Sequence, residues 1–136
     1  PSLHEEGDIL KSKGSRTERE LFHMFWNSGC GALRVAGSGS TPMPAPDLIA
    51  STKSKLYAIE CKSGKSTRYI TKSQIEELTN FAKLFNATPL VAMRFNNKPW
   101  YFLALEHLKS TPKGYAVSLE LAQERGRTFD DILLNL

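Results

Sequence analysis

Apolar positions early in the chain recur at helical spacing and then change to strand-like alternation. In SRTERELFHMFWNSG, residues 15–29, the side chains of Leu21, Phe22, Phe25 and Trp26 form one stripe. Ser15 with Glu18 three residues on makes a capping box, and Gly29 supplies the stop. GALRVA, residues 31–36, reads as a short strand, and GSGSTPMPAP, residues 37–46, as a loop. DLIAS and KLYAIECK are β-rich runs around the turn-like TKS, which predicts a hairpin over 47–62. A second helix is predicted over 72–86, opened by a box from Thr71 to Gln74 and closed before Pro89. PLVAMRF and KPWYFLAL, joined by Asn96 and Asn97, make another strand pair. The tail, 118–136, predicts two short helices around Gly126. The fold class is α/β.

Length and charge narrow the picture. At 136 residues, 40% hydrophobic and 24% charged, the chain fits one domain with a real core. Residues 1–10 carry three acids, no base and no clear period, and read as a disordered arm or a remnant foreign to the native protein; residues 11–136 read as one domain. No window approaches the roughly 18 apolar residues of a membrane span, so the expectation is an intracellular protein without membrane contact. Cys30 and Cys61 lack metal or disulfide spacing and read as reduced thiols. The net charge of +4 is unevenly spread: residues 11–72 hold eleven Lys or Arg against four acids, whereas 73–136 hold seven of each. A basic surplus on that scale is compatible with nucleic-acid binding and also with an ordinary solvated face.

The chemistry lies in PAPDLIASTKSKLYAIECK, residues 44–62. Alternation sends Tyr57, Ile59 and Cys61 to one face of their strand and Ala58, Glu60 and Lys62 to the other. The apolar set is expected to face the core. Glu60 and Lys62 are then roughly 6.6 Å apart along one side, and hairpin pairing can bring Asp47 close to Glu60. Two such carboxylates repel unless a cation or a proton lies between them. Oxygen-only ligands suit a hard divalent ion, Mg²⁺ with Mn²⁺ as substitute, while His4, His23 and His107 lack zinc spacing. Lys62 beside such an ion could orient water and stabilise a phosphorane. The plain alternative is an exposed Glu/Lys pair and a turn aspartate after proline.

Pro46-Asp47, twelve residues, then Glu60-Cys61-Lys62 resembles the PD-(D/E)xK nuclease superfamily. Together with Lys13-Gly14-Ser15, Glu18-Arg19 and Leu21 upstream, Gly37-Ser38-Gly39, and Phe81 and Phe85 downstream, the chain resembles the archaeal Holliday junction resolvases over roughly residues 11 to 105. That resemblance implies a restriction-endonuclease-like central mixed β-sheet flanked by helices. It implies active-site roles for Glu18, Asp47, Glu60 and Lys62, with the three carboxylates on the metal, the Cys61 backbone carbonyl as a further ligand, and Ser38 contributing from a loop. It also implies Arg19 and Arg34 near the scissile phosphate, and a homodimer through Phe81 and Phe85 that nicks two like-polarity strands of a four-way DNA junction. Glu18 as a capping residue, Ser38 as a loop serine and Arg34 as a solvent-facing strand residue remain the alternatives.

Family members often place Lys or Arg in the loop before Pro-Asp, whereas residues 38–46 contain none. Lys13, Arg16, Arg19, Arg34, Lys53, Lys65, Arg68 and Lys72 are expected to supply the phosphate contacts, clustered around the site. The location expected is cytoplasmic and nucleoid-associated, with recombination or replication proteins as possible partners. A restriction-like or repair endonuclease of the same fold, cutting duplex or flaps, and a non-catalytic DNA-binding module are the competing readings. On the helix of 71–86, Ile75, Leu78, Ala82 and Phe85 are expected to face the sheet, leaving Phe81 and Leu84 at the flanks.

Overall fold

A computed structural model describes residues 16–35 and 43–136. Helix α1 covers residues 16–27 and is stopped by Gly29 at φ 81. Lys13, Ser15 with its capping box, Ser38 and the arm of residues 1–10 lie outside the described residues.

Five strands form the main sheet in the order β1-β2-β3-β5-β6: β1 Gly31–Arg34, β2 Leu48–Ser51, β3 Leu56–Gly64, β5 Thr88–Phe95 and β6 Trp100–Ala104. The pairs β1–β2, β2–β3 and β5–β6 are antiparallel, and β3–β5 is parallel, so the sheet is mixed. Helix α2, Lys72–Leu84, makes the crossover between the parallel strands. Its predicted capping box is present, with Thr71 Oγ1 accepting from the Gln74 N–H and Gln74 Oε1 accepting from the Thr71 N–H, both at 3.1 Å. The tail folds into α3, Leu119–Arg125, and α4, Phe129–Leu134, either side of Gly126 as expected.

Both faces of the sheet are covered. On one, Leu21 and Phe25 of α1 and Ile132 of α4 pack on Tyr57, Ile59, Leu90 and Phe102, with Cys61 against the same cluster. On the other, Leu78 and Ala82 of α2 pack on Ala58, while Ile75 joins Val91, Met93 and Leu103. The alternation read in the first hairpin therefore holds, but Ala58 is as buried as Tyr57. The face bearing Glu60 and Lys62 is the underside of a helix.

Other expectations need correction. Trp26 is 53% exposed and donates its Nε1 proton to the Ala32 carbonyl at 2.9 Å, so the α1 stripe narrows to Leu21 and Phe25 with Phe22 and Met24 beside them. On β1 the polarity is inverted, with Leu33 outward and Arg34 turned in toward α1. Phe85 is the C-cap of α2, outside its last turn, and stands 51% exposed rather than facing the sheet.

A second sheet, β4-β8-β7, was not expected. It comprises β4 Arg68–Thr71, β7 Lys109–Thr111 and β8 Gly114–Val117. Gly114 sits opposite Thr71 at φ 153, where a Cβ would meet the Ile70 carbonyl oxygen at 2.4 Å. Only glycine lets β8 approach β4 so closely. This sheet fixes where α2 begins, since β4 ends on its N-cap, Thr71. Among the described residues no helix is long and apolar enough to cross a membrane.

Candidate active site

The site forms where β3 outruns β2. Pairing of β2 with β3 ends at Leu48 opposite Ile59, while β3 continues beside β5 to Gly64. Along that extension one edge of β3 has no strand hydrogen-bonded to it among the described residues. Asp47, the residue before β2, turns its side chain into the gap, and its Oδ2 accepts the Cys61 N–H at 2.8 Å. In a strand the N–H and C=O of one residue address the same neighbour, so the Cys61 carbonyl lies on this free edge as well. Two contacts check the phase. The Ser63 carbonyl, two residues on, accepts from the Arg68 guanidinium on that side, and the Gly64 carbonyl accepts from Asn96 on the other.

Glu60 projects from beneath α2, its side chain 19% exposed, with Lys62 Nζ 4.0 Å from Oε1. Burial, then the negative charge of Asp47, push the Glu60 carboxyl up to about 8, with Lys62 opposing. Glu18 approaches from α1. Its carboxyl is also raised by burial and by Asp47, and it accepts a 3.3 Å bond from Arg34 Nε, which works against that rise. Asp47, Glu60 and Glu18 thus share one field, and the Glu60 carboxyl holds its proton well above the usual carboxylate range. Burial pushes the Cys61 thiol well up, which makes it inert as a nucleophile.

A cleft of about 180 Å³ opens on the carboxylates, lined by Ala45, Pro46, Asp47, Glu60, Gln74, Glu77 and Leu78. Among the described residues no three His, Cys, Asp or Glu side chains form a ready metal cage. The donor set still fits a hard divalent ion, which binds through one or two carboxylates and otherwise through carbonyl, water and phosphate oxygens.

The structure brings together Glu18, Asp47, Glu60, Cys61 and Lys62, with Arg34 attached through Glu18. Arg16 and Arg19 are exposed on α1, Lys65 and Lys72 are exposed near the free end of β3, and Arg68 is tied to Ser63. Lys53 does not join them. It lies in the β2–β3 turn at the other end of the hairpin, on the order of 15 Å along the strand from Glu60. Sequence reading missed Gln74 and Glu77 as lining residues. The capping box had already accounted for Gln74; the signal overlooked was that a helix crossing over the Glu60 face presents its first two turns to the site.

The family model described as archaeal Holliday junction resolvase (hjc) matches residues 10–135. A crossover junction endodeoxyribonuclease Hjc of Archaeoglobus fulgidus is 37% identical over 130 residues, covering 90% of this chain and 96% of that protein. Its namesake from Methanocaldococcus jannaschii is 35% identical over 106 residues, 77% of this chain and 75% of that one. The 1.6 Å resolution structure of Archaeoglobus fulgidus Hjc, a Holliday junction resolvase from an archaeal hyperthermophile, superposes with a TM-score of 0.80 at 30% identity, covering 88% of this chain and 99% of the other.

Proposed function

The chain belongs to the archaeal Holliday junction resolvase family, and from that premise we propose that it is an endonuclease that resolves four-way DNA junctions by Mg²⁺-dependent phosphodiester hydrolysis, with Mn²⁺ able to substitute. The observation that carries this reading is the opening of Asp47 and Glu60 on one cleft, with the Cys61 backbone bound to Asp47 and Lys62 beside Glu60. The Asp47 and Glu60 carboxylates and the Cys61 carbonyl would hold the ion, with Glu18 as a further ligand. When bound, Mg²⁺ supplies a Lewis acid on the phosphate and a lowered pKa for the attacking water. Lys62 holds that water in line and offsets the charge gathering on the phosphorane. The water gives up a proton to solvent as its oxygen bonds to phosphorus, the P–O3′ bond breaks, and the departing O3′ takes a proton from solvent. The products, a 5′-phosphate and a 3′-hydroxyl, are ends a ligase can seal. Ser38 and Lys13, outside the described residues, are proposed as the loop and N-terminal contributors.

Pairing of the cuts requires a homodimer, which we place at Phe81 and Phe85. Their rings stack at 4.2 Å, and Phe85 and the neighbouring Leu84 are 51% and 83% exposed. Gln74, in the cleft, lies on the same flank of α2 as these aromatics. Arg16, Arg19, Lys65, Arg68 and Lys72 provide the phosphate contacts beside the cleft, with Lys53 engaging a more distant arm. The enzyme is expected to work as a single nuclease domain inside the cell, on the nucleoid.

A substrate panel tests the proposal: four-way junction, linear duplex, flap and single strand, each with Mg²⁺ and with EDTA. Symmetric nicks in the junction that depend on Mg²⁺ are the expected result. Preferential cutting of duplex or flap would make the chain a repair or restriction-like nuclease on this fold, and binding without cutting would make it a DNA-binding module.

A further inference from the structure

Gln74 is fixed by one half of its amide and idle in the other. The Thr71 backbone N–H is a donor, so the amide atom facing it at 3.1 Å must be the oxygen. That leaves the Nε2 protons at the other end of a side chain held between its own helix start and the cleft wall shared with Asp47 and Glu60. Among the described residues no protein acceptor takes them. A capping box accepts Glu at this position as readily as Gln. The first turn of α2 nevertheless carries no acid and begins with Lys72, although a helix N-terminus favours negative side chains. Glu here would put another anion into a cleft already lined by Asp47, Glu60 and Glu77. A neutral amide makes the same cap and also offers a hydrogen-bond donor where an anion has to enter.

We propose that Gln74 is a further catalytic residue, donating from Nε2 to a non-bridging oxygen of the phosphate under attack. The inference rests on the assignment of Asp47 and Glu60 as the centre of a phosphodiesterase. The donor is preorganised, because the capping box and the β4 strand leading into Thr71 hold it before substrate arrives. It complements Lys62 geometrically, since Lys62 comes up from the sheet and Gln74 from the helix above it.

The variants Gln74→Glu and Gln74→Ala separate the two functions of the amide. Gln74→Glu keeps the capping acceptor and removes the donor; Gln74→Ala removes both without adding charge. Each is measured on a four-way junction by single-turnover cleavage rate in Mg²⁺, junction Kd in EDTA and thermal midpoint. The expected result is a cleavage rate about 100-fold lower in both, the usual scale for losing one preorganised donor. Gln74→Ala melts earlier than the parent through loss of the cap, Gln74→Glu keeps the cap but adds a like charge to the cleft, and Kd in both stays within about tenfold. If Gln74→Glu cleaves within twofold of the parent, the residue is only a cap and the proposal falls. If Gln74→Ala loses rate only in proportion to its lost folded fraction, it falls equally. Asp47→Asn in the same assay keeps the two levels apart: an active Asp47→Asn overturns the site assignment, whereas an inactive one beside active Gln74 variants overturns Gln74 alone.

Discussion

The Cys61 backbone N–H donates to Asp47 Oδ2 at 2.8 Å, so the carboxylate that opens β2 is tied to the strand that carries Glu60 and Lys62. Asparagine can keep that bond through its side-chain oxygen while losing the charge. Asp47→Asn is therefore expected to fold as the parent does, abolish cutting, and leave junction affinity within about tenfold, because binding rests on basic contacts with phosphate. Cleavage and gel-shift assays side by side check this. Cutting near the parent's rate would refute the metal assignment.

Glu60 makes the metal-free protein sensitive to pH. Its carboxyl stands at about 8 in the fold against an ordinary 4.5, so folding takes up a proton between those values. The stability it contributes is full below about 4.5 and is lost as pH rises through about 8. Glu60→Gln removes that dependence. In EDTA its thermal midpoint should match the parent's near pH 4.5 and exceed it near pH 8.5, and Mg²⁺ should raise only the parent at the higher pH. An equal difference at both pH values would mean that Glu60 ionises freely.

Junction affinity should fall steeply with salt, as neutralised phosphates release counterions. Arg19 is exposed on α1 and makes no ion pair among the described residues, so Arg19→Ala is expected to lower the slope of log K against log salt by about one unit without changing the thermal midpoint. Arg68→Ala should also flatten the slope, but it releases the Ser63 carbonyl and costs some stability. A parent whose affinity ignores salt would remove the basic footprint from consideration.

Replacing both Phe81 and Phe85 with alanine is expected to give a monomer in sedimentation that still binds junction DNA and no longer makes paired cuts. Phe81 is half-buried against Ala58, Leu78 and Ala82, so Phe85→Ala alone is the gentler probe and should weaken the dimer without unfolding it. A parent that sediments as a monomer at micromolar concentration would exclude the interface.

Much of this architecture could be read from the chain because its signals are long or chemically dense. The capping box at Thr71, the α2 stripe from Ile75 through Leu78 to Ala82 and the alternation from Tyr57 to Lys62 were legible, the stripe failing only at Phe85 where the helix ends, and Glu60 and Lys62 share a face by local geometry alone. What escaped depends on partners far along the chain. Arg34 turns inward because Glu18, sixteen residues earlier, meets it, and Leu33 is exposed in consequence. Lys109–Thr111 is three residues, Lys-Ser-Thr, with no apolar position to set a period, so the small sheet it edges was invisible. Lys53 looked close to the site in sequence, yet a hairpin sends its turn and its free ends to opposite places.

The parallel pairing of β3 with β5 also sets the order in which the site matures. β2–β3 and β5–β6 close over short turns, but joining them means bringing together strands with all of β4 and α2 between them. Asp47 meets Glu60 in the first of these units, whereas the burial that makes their charges costly is complete only when α2 and β5 have docked. Affinity for a cation at that place is consequently acquired on the native side of the folding barrier. Mg²⁺ is then expected to slow unfolding and leave the refolding rate almost untouched, so a chevron measured with the ion and again with EDTA should differ in its unfolding arm.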